Sequence, residues 1–190
     1  RAVTPDGLGA ALAIGGEGPV HIHVAEQIGE VEDCLRHHKQ RPVEWLLANA
    51  PVDDRWCLVH ATHITPTELD GIVRSGAVVG LCPITEANLG DGIFPAAALS
   101  AARGRFGVGS DSNVLIDLPQ ELRSLEYSQR LTQRGRNLLS TASCPSTGRA
   151  LFDGARRGGA QALGVKNHDL VPGARADFVT LDLSHPTLAG

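Results

Sequence analysis

The sequence predicts an α/β fold in which parallel β-strands alternate with helices, and its four strand–helix units fit half of a (β/α)8 TIM barrel. Two observations lead to this prediction. Short, β-branched apolar runs are separated by segments with helical spacing, a pattern typical of parallel βαβ units. The chain has 190 residues, of which 42% are hydrophobic, whereas a complete barrel needs eight units and about 250 residues.

The predicted elements follow one another in a regular order. Residues 1–3 suggest the end of an earlier strand, and Thr4 then caps a helix over residues 5–14. A further helix begins after Thr65, because a threonine cap, a proline in the first turn and an acidic Glu68 all favour a helix start there. Four whole strands are predicted at residues 19–25, 56–61, 77–81 and 105–110, and the other helices at residues 27–38, 42–50, 95–103, about 119–133 and 146–162.

The last residues differ in character from the rest of the chain. A turn at Leu170–Gly173 precedes an alternating apolar and polar run over residues 174–183, which predicts a strand. We therefore divide the chain into residues 1–172, the half barrel, and residues 173–190, a strand that enters a second, β-rich domain. The chain begins with Arg1 and contains no methionine, which indicates a fragment.

The composition narrows the class of protein. The net charge of −4 is small and mixed in sign, and no apolar run reaches membrane-spanning length, so nucleic-acid and membrane partners are not expected. The four cysteines, Cys34, Cys57, Cys82 and Cys144, are far apart and form no CxxC pair. This spacing favours buried, reduced thiols and a cytoplasmic location over a disulfide framework or a zinc knuckle.

The first candidate site follows the first whole strand. His21 and His23 are two residues apart, so they face the same side of a strand, and Glu26 comes three residues after His23. A histidine at a strand end can ligate a metal, and a glutamate just beyond it can carry a proton. A hydrogen-bonded pair of core histidines beside a surface carboxylate would give the same pattern.

Two more candidate sites follow later strands. His60 ends the second strand with His63 close behind it, and Asp111 follows the fourth strand. Each has a structural alternative, since His63 could only support its loop and Asp111 could be a turn or cap residue. Together, however, two histidines and an aspartate end three of four strands, on the edge where barrel enzymes place their active site. No GxSxG, Walker or GxGxxG motif accompanies a strand, so a serine nucleophile or a nucleotide loop is not supported.

On these residues the chain resembles the amidohydrolase superfamily, in its cytosine/guanine-deaminase-like branch. That branch carries HxxE on strand five, a histidine on strand six and an aspartate on strand eight, which match His23 with Glu26, His60 and Asp111. The segment TEANLGDGIF after Cys82–Pro83 is similar to the formimidoylglutamate deiminase subgroup, as are HIHVAEQ, LVHATH, GSDSNV and the run from Glu121 to Tyr127. The similarity extends over essentially the whole chain.

The resemblance implies strands 5–8 of a (β/α)8 barrel, a small β-sandwich domain built from both chain ends, and one divalent metal, usually zinc. His23 and Asp111 would ligate the metal together with an HxH pair on the first strand of the barrel. Asp111 and His60 would orient the attacking hydroxide, and Glu26 would pass a proton to the departing ammonia. Arg1 would grip a substrate carboxylate, a contact that suits a glutamate derivative, although it could equally be a solvated terminal arginine. A homodimer is compatible with the family.

The resemblance leaves two alternatives and one gap. Another deaminase or a chlorohydrolase acting on a heterocyclic ring would use the same fold, although the TEANLGDG segment and Arg1 argue against it. A non-catalytic barrel module is opposed by the presence of His23, Glu26, His60 and Asp111. No HxH precedes His23 within the chain, so we expect the activity to belong to a full-length parent, and the chain alone to bind metal poorly and to be inactive.

Overall fold

The computed structural model of the chain describes residues 3–166, 169–186 and 188. Its centre is a four-stranded parallel sheet in the order β1-β2-β3-β4, so neighbouring strands in space are also consecutive in sequence. The strands are β1 (Val20–Val24), β2 (Trp56–His60), β3 (Val78–Leu81) and β4 (Arg105–Val108). The predicted α/β class, the parallel sheet and all four strands are confirmed, with ends shifted by no more than two residues.

Eight helices surround this sheet in the described part of the chain. They are α1 (Pro5–Gly15), α2 (Ile28–His38), α3 (Pro42–Asn49), α4 (Pro66–Ser75), α5 (Pro83–Leu89), α6 (Ala96–Ala101), α7 (Leu118–Gln133) and α8 (Thr147–Ala162). Seven of them were expected from the sequence. Helix α5 was not, because Pro83 was interpreted only as the end of the third strand, whereas it also occupies the first turn of a new helix.

The helix starts show why the caps were recognisable. Thr65 accepts a hydrogen bond from the amide of Glu68 at 3.2 Å, and the Glu68 carboxylate accepts one from the amide of Thr65 at 2.8 Å. This capping box satisfies two amides that a helix leaves without partners. Thr4 caps α1 in the same way, through a bond from the amide of Gly7 at 3.1 Å. Both predicted caps are confirmed.

The two faces of the sheet are covered differently. Trp56 and Leu58 of β2 point into the main core, which also contains Val79 and Leu81 of β3 and residues of α3, α4 and α6. Cys57 and Val78, which have the opposite parity along their strands, pack instead with Ala162 at the end of α8. Both faces are therefore buried, as expected for a parallel sheet whose strands are apolar throughout.

The cysteines and the tail differ in part from the sequence predictions. All four cysteines are free; Cys57 and Cys82 are buried as predicted, whereas Cys34 and Cys144 are partly exposed. The alternating run over residues 174–183 forms no strand here, and the described residues from 169 onward form turns, bends and irregular backbone. A lone extended segment lacks the neighbouring strand whose amides and carbonyls it would pair with. The assignment of residues 173–190 to a second domain stays a prediction.

No helix in the described residues combines the length and the apolar character needed to cross a membrane.

Candidate active site

The register of the sheet brings the ends of β1 and β2 together. Val24 pairs with His60 and His23 pairs with Val59, so the two histidines lie side by side at the carboxyl edge of the sheet. Their ring centroids are 5.4 Å apart, with the ring planes tilted by 47°. The His60 ring is fully buried, whereas His23 is exposed. The structure thus places His23 between solvent and the buried ring of His60.

His60 lies between two buried carboxylates. Its Nδ1 is 3.1 Å from Oε1 of Glu86, and its Nε2 is 3.7 Å from Oε1 of Glu26. Glu26 is 2% exposed and Glu86 is 5% exposed, so neither carboxylate is freely solvated. Buried acids of this kind are costly unless a charge or hydrogen-bond donors compensate them. A buried imidazole within reach of two carboxylates is an arrangement suited to proton transfer.

The hydrogen bonds indicate which ring nitrogen of His60 carries the proton. Oε1 of Glu86 also lies 3.0 Å from the backbone nitrogen of Cys82, whose N–H donates to it. A carboxylate oxygen in that position acts as an acceptor, so the His60 Nδ1–H donates to the same atom. In a neutral ring, Nε2 is then left as an acceptor. Nε2 has no hydrogen-bond partner in the described residues.

The backbone is in unusual conformations at the same edge of the sheet. Ala25, His60, Ala61 and Asp111 all have positive φ angles, of 51°, 66°, 47° and 53° respectively. These four residues lie at or just after the ends of β1, β2 and β4. Non-glycine residues in this region are strained, and such strain clusters at functional sites. Cross-strand bonds hold the conformation, since the amide of Ala61 donates to the carbonyl of Val24 at 3.0 Å.

Asp111 lies in the loop after β4. It is exposed, so it is not part of the buried group around His60, although its negative charge is close enough to contribute to the raised pKa of the Cys82 thiol. Hydrogen bonds anchor the loop on both sides of Asp111. The Thr85 hydroxyl donates to the carbonyl of Ser110 at 2.9 Å, and the Asn113 amide donates to the Thr85 hydroxyl at 3.2 Å.

Glu121 of α7 completes this anchor. Its carboxylate accepts bonds from the Ile84 amide at 2.8 Å and from the Asn113 side chain at 3.3 Å. Burial raises the pKa of the Glu121 carboxyl, and the two hydrogen bonds oppose that rise. The strand-end loop that carries Asp111 is therefore fastened to α5 and α7 through a buried acid.

The Gly90–Asp91 turn closes the other side of the site. The carbonyl of Asp91 accepts a hydrogen bond from Nε2 of His63 at 2.7 Å, and its Oδ1 accepts one from the Gln27 amide at 3.0 Å. Since Gln27 follows Glu26 and His63 follows His60 by three residues, this turn joins the ends of β1 and β2. His63 thus has the loop-supporting position that was one of the two interpretations of its sequence context.

One of the candidate histidines stands apart from the group. His21 is on the strand side predicted for it, but its Nε2 lies 2.7 Å from the carbonyl oxygen of Ala162 at the end of α8. This contact leaves it as a packing residue at the far end of β1. Arg1, the predicted substrate-binding residue, lies outside the described residues.

The sequence pattern does not indicate Glu86, Thr85 or Glu121. Thr85 and Glu86 belong to the TEANLGDG segment, but their orientation does not follow from the sequence, because no helix is predicted there. The available signal was position, since Glu86 lies four residues after the strand-end residue Cys82. Glu121 is 37 residues from its partner Ile84, and no local pattern indicates such a contact.

No three or more His, Cys, Asp or Glu side chains of the described residues are grouped in a way that could hold a metal ion. The donors at the strand ends, an imidazole of His23 and a carboxylate of Asp111, are of the types that zinc accepts. The buried Nε2 of His60, 3.7 Å from Glu26, adds a polar atom that needs a partner at the same edge.

Comparison with known proteins agrees with this architecture. The model of the amidohydrolase family matches residues 2–189. Formimidoylglutamate deiminase of Pseudomonas aeruginosa is 54% identical over 190 residues, which are 100% of this chain and 42% of that protein. The chain thus spans less than half the length of this curated relative.

Solved structures give the same assignment. An amidohydrolase from Brucella melitensis is 58% identical with a TM-score of 0.84, over 86% of this chain and 36% of that one. An adenosine deaminase from Xanthomonas campestris with bound zinc has a TM-score of 0.85 at 27% identity, over 98% of this chain and 43% of that one. The chain belongs to the amidohydrolase family.

Proposed function

We propose that the protein containing this chain (the parent protein) hydrolyses N-formimidoyl-L-glutamate to N-formyl-L-glutamate and ammonia. The proposal is supported by 54% identity to a formimidoylglutamate deiminase along the entire chain. Because the chain spans 42% of that relative, the activity is proposed for the parent protein. In the same scheme the four strands are strands 5–8 of a (β/α)8 barrel, and residues 173–190 lead into a β-sandwich domain.

The observation that carries the mechanism is the buried His60 ring between Glu86 and Glu26. With Nδ1–H engaged by Glu86, the Nε2 lone pair of His60 accepts a proton from the water that attacks the formimidoyl carbon. A C–O bond forms, the electrons of the C=N bond move to the terminal nitrogen, and that nitrogen takes the proton held by His60. Glu26 then takes the remaining proton of the new hydroxyl group and passes it to the same nitrogen, so that the C=O bond forms, the C–N bond breaks and ammonia leaves.

One divalent metal, zinc by preference, fits the donors at this edge. His23 and Asp111 would hold it from this chain, since imidazole nitrogen and carboxylate oxygen are ligands that zinc accepts. When bound, such a metal makes water a stronger nucleophile at neutral pH. Asp111 reaches this position only if its loop is held in place, and the bonds of Ser110 and Asn113 to Thr85 supply that restraint.

Further parts of the proposal concern residues and properties beyond this geometry. Arg1 would bind a carboxylate of the substrate through a bidentate contact, and His60 would also contact the substrate. The cytoplasm is the proposed location, since the four free cysteines suit a reducing compartment. The proposed partner is a small-molecule substrate, and a homodimer would be compatible with this site.

The test is ammonia release by the parent protein with N-formimidoyl-L-glutamate, guanine, cytosine and adenosine as substrates. We expect turnover of N-formimidoyl-L-glutamate alone, a loss of about 100-fold or more in kcat for Glu26→Gln, and about one metal ion per chain. The matched control is Glu126→Gln, a buried carboxylate that binds the amides of Leu138 and Leu139. Turnover of a heterocycle with no activity on N-formimidoyl-L-glutamate would contradict the proposal.

The second candidate function is deamination of a heterocyclic ring. It is favoured by one observation, the TM-score of 0.85 to an adenosine deaminase that covers 98% of this chain. The lower identity of 27% makes it the weaker candidate, and the substrate comparison above separates the two functions directly.

A further inference from the structure

We propose that Glu86 is a positioning residue that fixes the tautomer and the orientation of His60, so that Nε2 of His60 stays available to the reacting groups. This proposal rests on the proposed function for the role of His60. Glu86 belongs to the TEANLGDG segment, and the sequence pattern alone does not indicate a role for it.

One oxygen atom of Glu86 makes two contacts. Oε1 of Glu86 accepts from the Cys82 amide at 3.0 Å and lies 3.1 Å from Nδ1 of His60. Because the Cys82 amide is part of the backbone at the end of β3, it fixes this oxygen relative to the sheet. The same oxygen then restrains the His60 ring, because rotation about the His60 side-chain bonds would break the hydrogen bond to Nδ1.

Both side chains are buried. His60 is 0% exposed and Glu86 is 5% exposed, so bulk water does not compete for Nδ1. A neutral imidazole bound at Nδ1 by a carboxylate carries its proton there, which leaves a lone pair on Nε2. Without Glu86 the ring could turn or place its proton on Nε2, and the nitrogen facing Glu26 would then be a donor in place of an acceptor.

The backbone of His60 is also strained. Its φ angle is 66°, a conformation that costs free energy for a non-glycine residue and persists only where surrounding contacts hold it. The hydrogen bond to Glu86 is one such contact, since it restrains the side chain of this same residue.

The experiment uses the parent protein labelled with ¹⁵N at histidine, together with kinetics on N-formimidoyl-L-glutamate. The variants are Glu86→Ala, Glu86→Gln and the control Glu126→Gln, which also removes a buried carboxylate that accepts backbone amides. Comparison with His60→Asn identifies the His60 ring signals. We expect the Nδ1–H form of His60 in the unsubstituted protein and in Glu126→Gln.

In Glu86→Ala we expect the Nε2–H form to become populated and kcat to fall roughly 100-fold with little change in KM, near the upper end of what loss of a histidine-orienting carboxylate costs. Glu86→Gln should keep the Nδ1–H form, because both donors face one oxygen that the amide can still supply, and kcat should fall only about tenfold. A residue that merely stabilised the fold would leave the His60 tautomer unchanged when replaced.

An unchanged His60 tautomer in Glu86→Ala would overturn the proposal, and so would a kcat loss in the Glu86 variants no larger than in Glu126→Gln. If Glu86→Ala fails to fold, Glu86→Gln provides the test. A shift of His60 to the Nε2–H form in this variant would contradict the proposal that one oxygen accepts from both donors. The spectra need no turnover. A parent protein inactive on N-formimidoyl-L-glutamate with a Glu86-dependent tautomer would therefore refute the proposed function but not the assignment of Glu86 as the residue that orients His60.

Discussion

Thr85 donates a hydrogen bond from its hydroxyl to the carbonyl oxygen of Ser110, across 2.9 Å, and thereby fastens the loop after β4 to helix α5. Thr85 is 2% exposed, and its oxygen also accepts a bond from Asn113 at 3.2 Å. Asp111 lies between the two anchored residues. Its position therefore depends on a side chain that is 26 residues away in sequence and has no chemical role of its own.

We predict that Thr85→Val lowers both stability and activity of the parent protein. The substitution keeps the shape of the side chain but leaves the Ser110 carbonyl and the Asn113 amide with one partner fewer. We expect a loss of about 1–2 kcal/mol in the free energy of unfolding and a fall of about tenfold in kcat/KM, since a loosened loop places Asp111 less well. Urea denaturation and initial rates measure the two effects.

The matched control is Thr62→Val. Thr62 is 4% exposed, and its hydroxyl oxygen finds no hydrogen-bond partner in the described part of the chain. Replacing that hydroxyl by a methyl group should therefore leave the free energy of unfolding unchanged or raise it. Equal losses in the two variants would show that the Thr85 bonds do not contribute to stability as described.

The two buried thiols predict a dependence of stability on alkaline pH. Burial raises the pKa of the Cys57 thiol to about 11, and burial with the charges of Glu86, Asp111 and Glu121 raises that of Cys82 to about 12, from 9.0. The folded protein then holds these protons more tightly than the unfolded chain. The resulting stabilisation is complete below pH 9 and is lost as the pH rises through 11 to 12.

Two measurements follow for the parent protein. At pH 8 iodoacetamide should modify the partly exposed Cys144 readily and Cys34 more slowly, because burial and nearby acids raise the pKa of the Cys34 thiol and the thiolate is the reactive form. The reagent should spare Cys57 and Cys82, which are buried. In Cys82→Ala the free energy of unfolding should fall less steeply between pH 9 and pH 11 than in the unsubstituted protein. Rapid modification of Cys82 in the folded protein, identified by peptide mapping, would be inconsistent with its raised pKa.

The strands and most helices could be predicted because their signals are local. A run such as Val20–Val24 is short, apolar and bounded by turn residues, and a cap such as Thr65 acts within one helical turn. Helix α5 could not be predicted, because Pro83 is compatible both with the end of a strand and with the start of a helix. The strand predicted over residues 174–183 shows the opposite case, in which a suitable alternation has no neighbouring strand to pair with.

The residues of the candidate site also fall into two groups, those that local sequence patterns indicate and those that depend on distant contacts. His23, Glu26, His60 and Asp111 could be selected because strand ends of a parallel sheet meet at one edge, and the structure places the first three close together. Glu86 and Glu121 could not be selected in this way. Their roles depend on the contacts with His60, Ile84 and Asn113, which are set by the packing of α5 and α7 and leave no periodic trace in the sequence.

Helix α8 contacts the sheet at a position where only glycine fits. A methyl group on Gly158 would overlap the carbonyl group of Phe106 and approach the amide nitrogen of Gly107 to 3.1 Å. The obstacle is backbone of β4, which cannot move without disturbing its pairing with β3. The close approach also brings Ala162, at the end of α8, against Cys57 and Val78.

We predict that Gly158→Ala destabilises the parent protein by about 3 kcal/mol or more, since overpacking against fixed backbone forces the helix away from the sheet. The neighbouring residue provides the control, because a methyl group on Gly159 would meet no atom within 4 Å. Gly159→Ala should be neutral or stabilise by about 0.5–1 kcal/mol through its helix propensity. Chemical denaturation of the two variants side by side measures the difference, and a Gly158→Ala variant as stable as Gly159→Ala would mean that α8 does not pack on β4 at this distance.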